Sequence, residues 1–237
     1  MSIRWGSKPW KLWSSHWQNR QSFKGLRLPL VLLFMVVLGL GLGYLVINYF
    51  SEWRDWTAFD PETRLDSMIP VIPWMILPYY TLYFYYPMAG LFGMKNEKTQ
   101  REVIIFHQIL LILTMMIFAI FLLLPAEVDL RDSVLDTDLG IWHAWFELLY
   151  GVDNPWNAWP SLHIVQSMLV VLIVHRWFNN DGTRAKILLG GLWFAWLLLV
   201  ISITTTKQHY VWDAICLLYT SDAADDTPCV DLGGRRI

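Results

Sequence analysis

Two short polar clusters interrupt a strongly apolar chain, and both carry residue types that can move a phosphoryl group. One reads Asn157-Ala158-Trp159-Pro160-Ser161-Leu162-His163; the other runs from Ser202 through Thr204, Thr205, Thr206, Lys207, Gln208 and His209 to Asp213. His209 and Asp213 are four residues apart, so at the start of a helix they share a face and the carboxylate can accept the proton of one ring nitrogen. The other nitrogen is then oriented as a nucleophile. His163 can supply a proton to a leaving oxygen, because imidazole titrates near neutral pH. A phosphoryl group also needs its oxygens compensated. Candidates are Lys207, the hydroxyls of Ser161, Thr204, Thr205 and Thr206, and the free amides of the helix that His163 opens.

The elements that must position these groups are set by hydropathy. Of 237 residues, 55% are hydrophobic and 15 are Trp, well outside the balance of a soluble domain. A spanning helix needs about 20 mostly apolar residues. Residues 28–50 meet that test and carry Gly39, Gly41 and Gly43, which leave one face small enough for close helix contact. Residues 68–93 form a second span, interrupted by Pro70, Pro73, Pro78 and Pro87 and expected to be kinked and buried in protein. Residues 103–124, 162–178 and 187–203 give three more, and a sixth begins near Tyr210. The expected fold is therefore an all-α polytopic bundle with five complete spans and a truncated sixth.

Charge placement sets the expected orientation. Arg4, Lys8, Lys11, Arg20, Lys24 and Arg27 precede the first span, and the loops with Lys95, Lys98 and Arg101 and with Arg176, Arg184 and Lys186 fall on the same side. By the positive-inside rule that side is cytoplasmic. The remaining loops hold Glu52, Asp55, Asp60, Glu62, Asp66, Glu127, Asp129, Asp132, Asp136, Asp138, Glu147 and Asp153 and face outward, as do both polar clusters, because residues 162–203 form a hairpin across the membrane. Trp5, Trp10, Trp13 and Trp17 among the basic residues suggest an interfacial anchor on anionic lipid. Residues 141–150, with Trp142, Trp145, Phe146 and Leu149 at helical spacing, are expected along the outer interface. A net charge of -2 gives no pointer to nucleic acid.

The clusters also resemble a known family. PSLH at 160–163 looks like the second motif, and KQHYVWD at 207–213 the third, of the type 2 phosphatidic acid phosphatase superfamily, particularly its bacterial branch akin to inositol phosphorylceramide synthases. The likeness runs from about Asp66 to Ile215 and includes the early IPVIPW stretch. It implies that His209 forms a phosphohistidine, that Asp213 orients it and that His163 is the acid. Two departures stand out. The family's first motif, a Lys followed by an Arg-Pro pair, has no counterpart near Lys95 to Arg101, and the Arg that usually follows Ser202 is Ile203. Lys207 is the expected substitute for phosphate binding, although a point-charge Lys grips phosphate less geometrically than a forked Arg.

From Cys216 the sequence CLLYTSDAADDTPCVDLGGRRI breaks from apolar helix into a small, acidic run. It resembles the conceptual translation of a transposase sequencing adapter, and such scars are set apart from fold reasoning; a disordered polar terminus is the alternative. The expected organisation is a cytoplasmic basic segment at 1–27, a transmembrane catalytic domain at 28–215 truncated at its C-terminus, and a non-native tail at 216–237 that holds both cysteines. His107, His143 and His175 lack nearby partners of the right kind and read as structural, and His16 belongs to the basic segment. The tyrosines of the second span read as packing residues and belt anchors rather than catalytic groups, with Tyr79 or Tyr80 as alternatives for lining a lipid entrance.

The expectation is a multi-pass enzyme of the plasma (inner) membrane that acts on a phosphorylated lipid at the outer face, as phosphatase or phosphotransferase, without metal or cofactor. Two His and one Asp also suit a metal, but Lys207 close by would oppose a cation. The competing class is a transporter or scaffold using His163 and His209 as a proton relay. That class should show an internal repeat, and the sequence shows none.

Overall fold

The computed structural model describes residues 8–213 apart from 55, 57, 59, 132 and 133. The tail at 216–237 with both cysteines, the body of the sixth span, and Arg4, Trp5, Asp55 and Asp132 lie outside the described residues. Among the described residues the chain is helical, and the single β-type pairing is a one-residue bridge between Ala126 and Asn157. In chain order the helices are α1 (Ser14–Gln18), α2 (Arg27–Phe34), α3 (Leu42–Trp53), α4 (Arg64–Met68), α5 (Ile76–Tyr80), α6 (Leu82–Phe92), α7 (Glu97–Leu123), α8 (His143–Val152), α9 (Leu162–Phe178) and α10 (Thr183–Thr205).

Three rods are long and apolar enough to cross a membrane: Arg27–Trp53, in which a π-helical turn at Met35–Gly41 joins α2 to α3, then α7 and α10. At 27 residues the first and α7 are each about 40 Å long, more than the ~30 Å hydrocarbon core requires. α9 is apolar but shorter, at 17 residues. Two rods start before their apolar runs because polar residues extend them. α7 begins at Glu97 behind a capping box in which Asn96 accepts from the Thr99 amide at 3.0 Å and Thr99 accepts from the Asn96 amide at 3.1 Å. α10 begins just after Gly182, whose φ of +90° suits glycine.

Proline divides the second expected span. The helix breaks at Thr81, whose amide and hydroxyl both donate to the Pro78 carbonyl, at 3.1 and 2.6 Å. Pro73 sits in the first turn of a short 3-10 helix, where its missing N–H costs nothing. Tyr79, Leu82, Tyr85 and Ala89 of α5 and α6 are buried, with α6 against α9 and α5 against α10. The small-residue face of the first rod is narrower than the sequence suggests. A β-carbon on Gly43 would sit 3.0 Å from the Phe118 ring of α7, whereas one on Gly39 or Gly41 would meet only Met35 or Val36 of its own rod.

The basic segments gather at one end. The Trp10 amide donates to Gln108 Oε1 at 2.8 Å, Gln108 Nε2 donates to the Lys8 carbonyl at 3.2 Å, and the Arg101 guanidinium lies 5.1 Å from the Trp17 ring centre. Lys95 pairs with Asp181, which joins the α6–α7 turn to the α9–α10 turn. His163 and the end of α10 lie at the opposite end of that helical pair.

Candidate active site

The site is built on the turn that ends α10. Lys207 adopts the left-handed conformation, with φ 53°, and lets the amides of Gln208 and His209 both donate to the Ile203 carbonyl, at 2.9 and 3.1 Å. Glycine usually fills this position, and a residue with a β-carbon there costs on the order of 1 kcal/mol. The surroundings offset that strain. Lys207 Nζ donates to the carbonyls of Asp66 and Ile69, both at 2.6 Å, at the end of α4. Tyr150 Oη donates to the Thr206 carbonyl at 2.8 Å. The buried Arg131 guanidinium donates to the Lys207 carbonyl at 3.3 Å, to the Gln208 carbonyl and Oε1 at 3.2 and 2.8 Å, and to the Asp153 carbonyl. Asp66, fixed by its capping box with Thr63, accepts the Val211 amide at 2.6 Å.

Thus presented, His209 meets its partners. Its Nδ1 lies 2.7 Å from the Ala158 carbonyl and 3.2 Å from Asp213 Oδ2, and its Nε2 lies 2.9 Å from His163 Nδ1 and 3.1 Å from Ser161 Oγ. His163 Nε2 lies 2.6 Å from Tyr79 Oη. The chemistry of these atoms fixes the protons. A carbonyl and a carboxylate can only accept, so Nδ1 of His209 carries hydrogen and, in the neutral ring, Nε2 holds the lone pair. His163 Nδ1–H then donates to that lone pair, and in the neutral ring Tyr79 O–H donates to His163 Nε2. All donors point one way, from Tyr79 through His163 and His209 to Asp213. The carboxylate has 0% exposure, His209 4% and His163 9%, so the chain is buried and its hydrogen bonds are strengthened by the low local dielectric.

The structure brings His163, His209, Asp213 and Ser161 together as the spacing predicts. Ser161 precedes α9 without a side-chain cap bond, so its hydroxyl is directed to His209 rather than to the first-turn amides. The other expected phosphate ligands are engaged elsewhere. Thr204, Thr205 and Thr206 donate back to carbonyls of Ile201 and Ser202, the usual way hydroxyls bind the last turn of a helix. Lys207 is turned onto α4, and burial lowers its ammonium below the ordinary lysine range against the opposing pull of Asp66 and Glu62. His107, His175 and His143 sit in structural settings: on the Val103 carbonyl at 2.8 Å, under Trp193 Nε1 at 3.1 Å, and beside Glu147 at 3.4 Å.

Sequence reasoning missed Arg131 and Tyr150 and read Tyr79 as a packing residue. A signal for Arg131 existed: it is the only basic residue between Pro125 and Gly140, in a stretch with five carboxylates. A lone cation in an acidic loop asks for a buried use.

Three apolar rods long enough to cross a membrane thus carry a buried His-His-Asp chain at one end. A profile of the PAP2 superfamily matches residues 50–218, and the chain belongs to that superfamily, whose members are generally phosphatases and phosphotransferases. Comparisons with curated proteins and with solved structures returned no match.

Proposed function

We propose that this chain is a membrane lipid phosphatase or phosphotransferase that works through a phosphohistidine at His209, at the extracytoplasmic face. The observation that carries the reading is the one-way hydrogen-bond chain from His163 through His209 to Asp213. Asp213 and the Ala158 carbonyl hold Nδ1–H, so Nε2 attacks phosphorus while the P–O bond to the leaving group breaks. His163, protonated, gives its Nδ1 proton to that oxygen. In the second half-reaction neutral His163 takes a proton from water or an alcohol, whose oxygen displaces the phosphoryl group from Nε2. Water makes the enzyme a phosphatase; an alcohol makes it a phosphotransferase. The phosphate oxygens are met by Ser161 and the first-turn amides of α9, with the Arg131 and Lys207 charges acting through the turn they hold. The gathering of basic segments at the opposite end supports an outward site under the positive-inside rule.

The test is phosphate release from phosphatidic acid by the full chain in vesicles, with trapping of acid-labile, base-stable phosphoprotein. Release and trapping, both lost in His209→Ala, are expected. No release, with proton flux that depends on both histidines, would replace the enzyme with the relay.

A further inference from the structure

We propose that Tyr79 is the positioning residue for His163, its hydroxyl doing for the acid what Asp213 does for the nucleophile. The inference rests on the phosphohistidine reading and adds a fourth member to it. Tyr79 lies on α5, 84 residues from His163, and its Oη is 2.6 Å from His163 Nε2 with ring centres 5.1 Å apart. The tyrosine is 2% exposed, and among the described residues its hydroxyl has no other hydrogen-bond partner. A phenol buried this deeply normally finds a partner for structural reasons. Here the partner is one specific nitrogen of a ring that must change protonation state twice in each cycle.

The hydroxyl serves both states. In the resting chain it donates to Nε2 of neutral His163, which keeps the proton on Nδ1, facing His209. When His163 is protonated, Nε2–H must donate, and the same oxygen accepts after turning about its C–O bond; no heavy atom moves. The acid step then breaks the Nδ1–H bond, the proton joins the leaving oxygen, and the electron pair of the severed P–O bond goes with that oxygen. His163 is left neutral with hydrogen on Nε2, donating to Tyr79, and with Nδ1 bare. That is the tautomer required to take the proton of the attacking water. Without the hydroxyl, Nε2–H loses the one hydrogen-bond partner it has among the described residues, and the proton is free to sit on either nitrogen. Tyr85 of α6 gives the contrast, because its buried hydroxyl has no partner among the described residues.

The experiment compares the full-length wild type, Tyr79→Phe and Tyr85→Phe on phosphatidic acid, whose alkoxide leaving group needs a proton, and on p-nitrophenyl phosphate, whose phenoxide leaves without one. The ratio of the two rates within one preparation is independent of how much protein is folded. In the rate of phosphohistidine formation, which reports the acid step alone, Tyr79→Phe is expected to lose roughly 10- to 100-fold on phosphatidic acid, the size of loss typical when a group orienting a reactive side chain is removed, and less than about threefold on p-nitrophenyl phosphate. Tyr85→Phe should match the wild type on both. Equal losses in phosphohistidine formation on the two substrates, no loss on either, or the same leaving-group dependence in Tyr85→Phe overturns the role of Tyr79 while His209 trapping still stands. Failure of the wild type on both substrates, or trapping that survives His209→Ala, removes the parent reading instead.

Discussion

His209 Nε2 and His163 Nδ1 lie 2.9 Å apart, so the lone pair of one ring is occupied by the proton of the other. Under the proposed mechanism the two rings part for a phosphoryl group to enter, and the bond they give up with each other is replaced by one bond from each ring to the substrate.

Asp213→Asn tests the proton order along this chain. An amide in place of the carboxylate can present N–H to Nδ1 and push the ring toward the wrong tautomer, with hydrogen on Nε2. Phosphate release from phosphatidic acid is expected to fall by about 10³- to 10⁴-fold, as in other His-carboxylate pairs. Phosphoprotein trapping should fall in parallel, since the first step is the one impaired.

Arg131→Ala removes the fork that ties residues 207 and 208 to the loop at 153. Several hydrogen bonds from one buried cation are lost together, and each is worth about 1.5–3 kcal/mol when intact. A lower Tm in detergent and a loss of kcat larger than any rise in KM are expected. Arg131→Lys should not restore either, because an ammonium cannot reach Gln208 and Asp153 with one planar fork. Full rescue by lysine would show that charge alone is required.

Lys207→Met separates anchoring from substrate binding. With Nζ on the Asp66 and Ile69 carbonyls, the substitution should loosen the turn and reduce Tm and kcat, while KM for phosphatidic acid changes by less than about threefold. A rise in KM with Tm and kcat unchanged would make the lysine a phosphate ligand after all.

Gly93→Ala probes the fold away from the chemistry. The added β-carbon would lie 2.7 Å from Val103 Cβ and 3.0 Å from the Trp177 ring, so the α6–α7 turn must shift. A destabilisation of about 1–3 kcal/mol is expected from overpacking of this kind, read as a lower Tm with the leaving-group preference unchanged.

The apolar rods and the His-x-x-x-Asp spacing were legible because they are local: hydropathy and a four-residue repeat need no knowledge of what lies across the bundle. Ser161 and His163 could be read from their place at a helix start. Lys207 was singled out because its type suits phosphate, but the sequence does not show that its backbone is left-handed at a helix end and that its ammonium rests on carbonyls of residues 66 and 69. Arg131, Tyr150 and Tyr79 act across 56 to 84 residues of sequence, and no local pattern encodes such pairings. The small-residue face of the first rod was half legible: three glycines are visible in sequence, but only packing against Phe118 shows that Gly43 is the one that matters.

The first rod enters the site indirectly. Tyr44 and Asn48 of α3 both donate to Asp153 Oδ1, and the carbonyl of the same aspartate receives Arg131, which grips the turn before His209. Both residues lie upstream of position 50, where the superfamily likeness begins. A segment that would pass for a mere membrane tether thus braces the candidate site, and versions of this chain trimmed to the shared region would keep His163, His209 and Asp213 while losing the strut that steadies them.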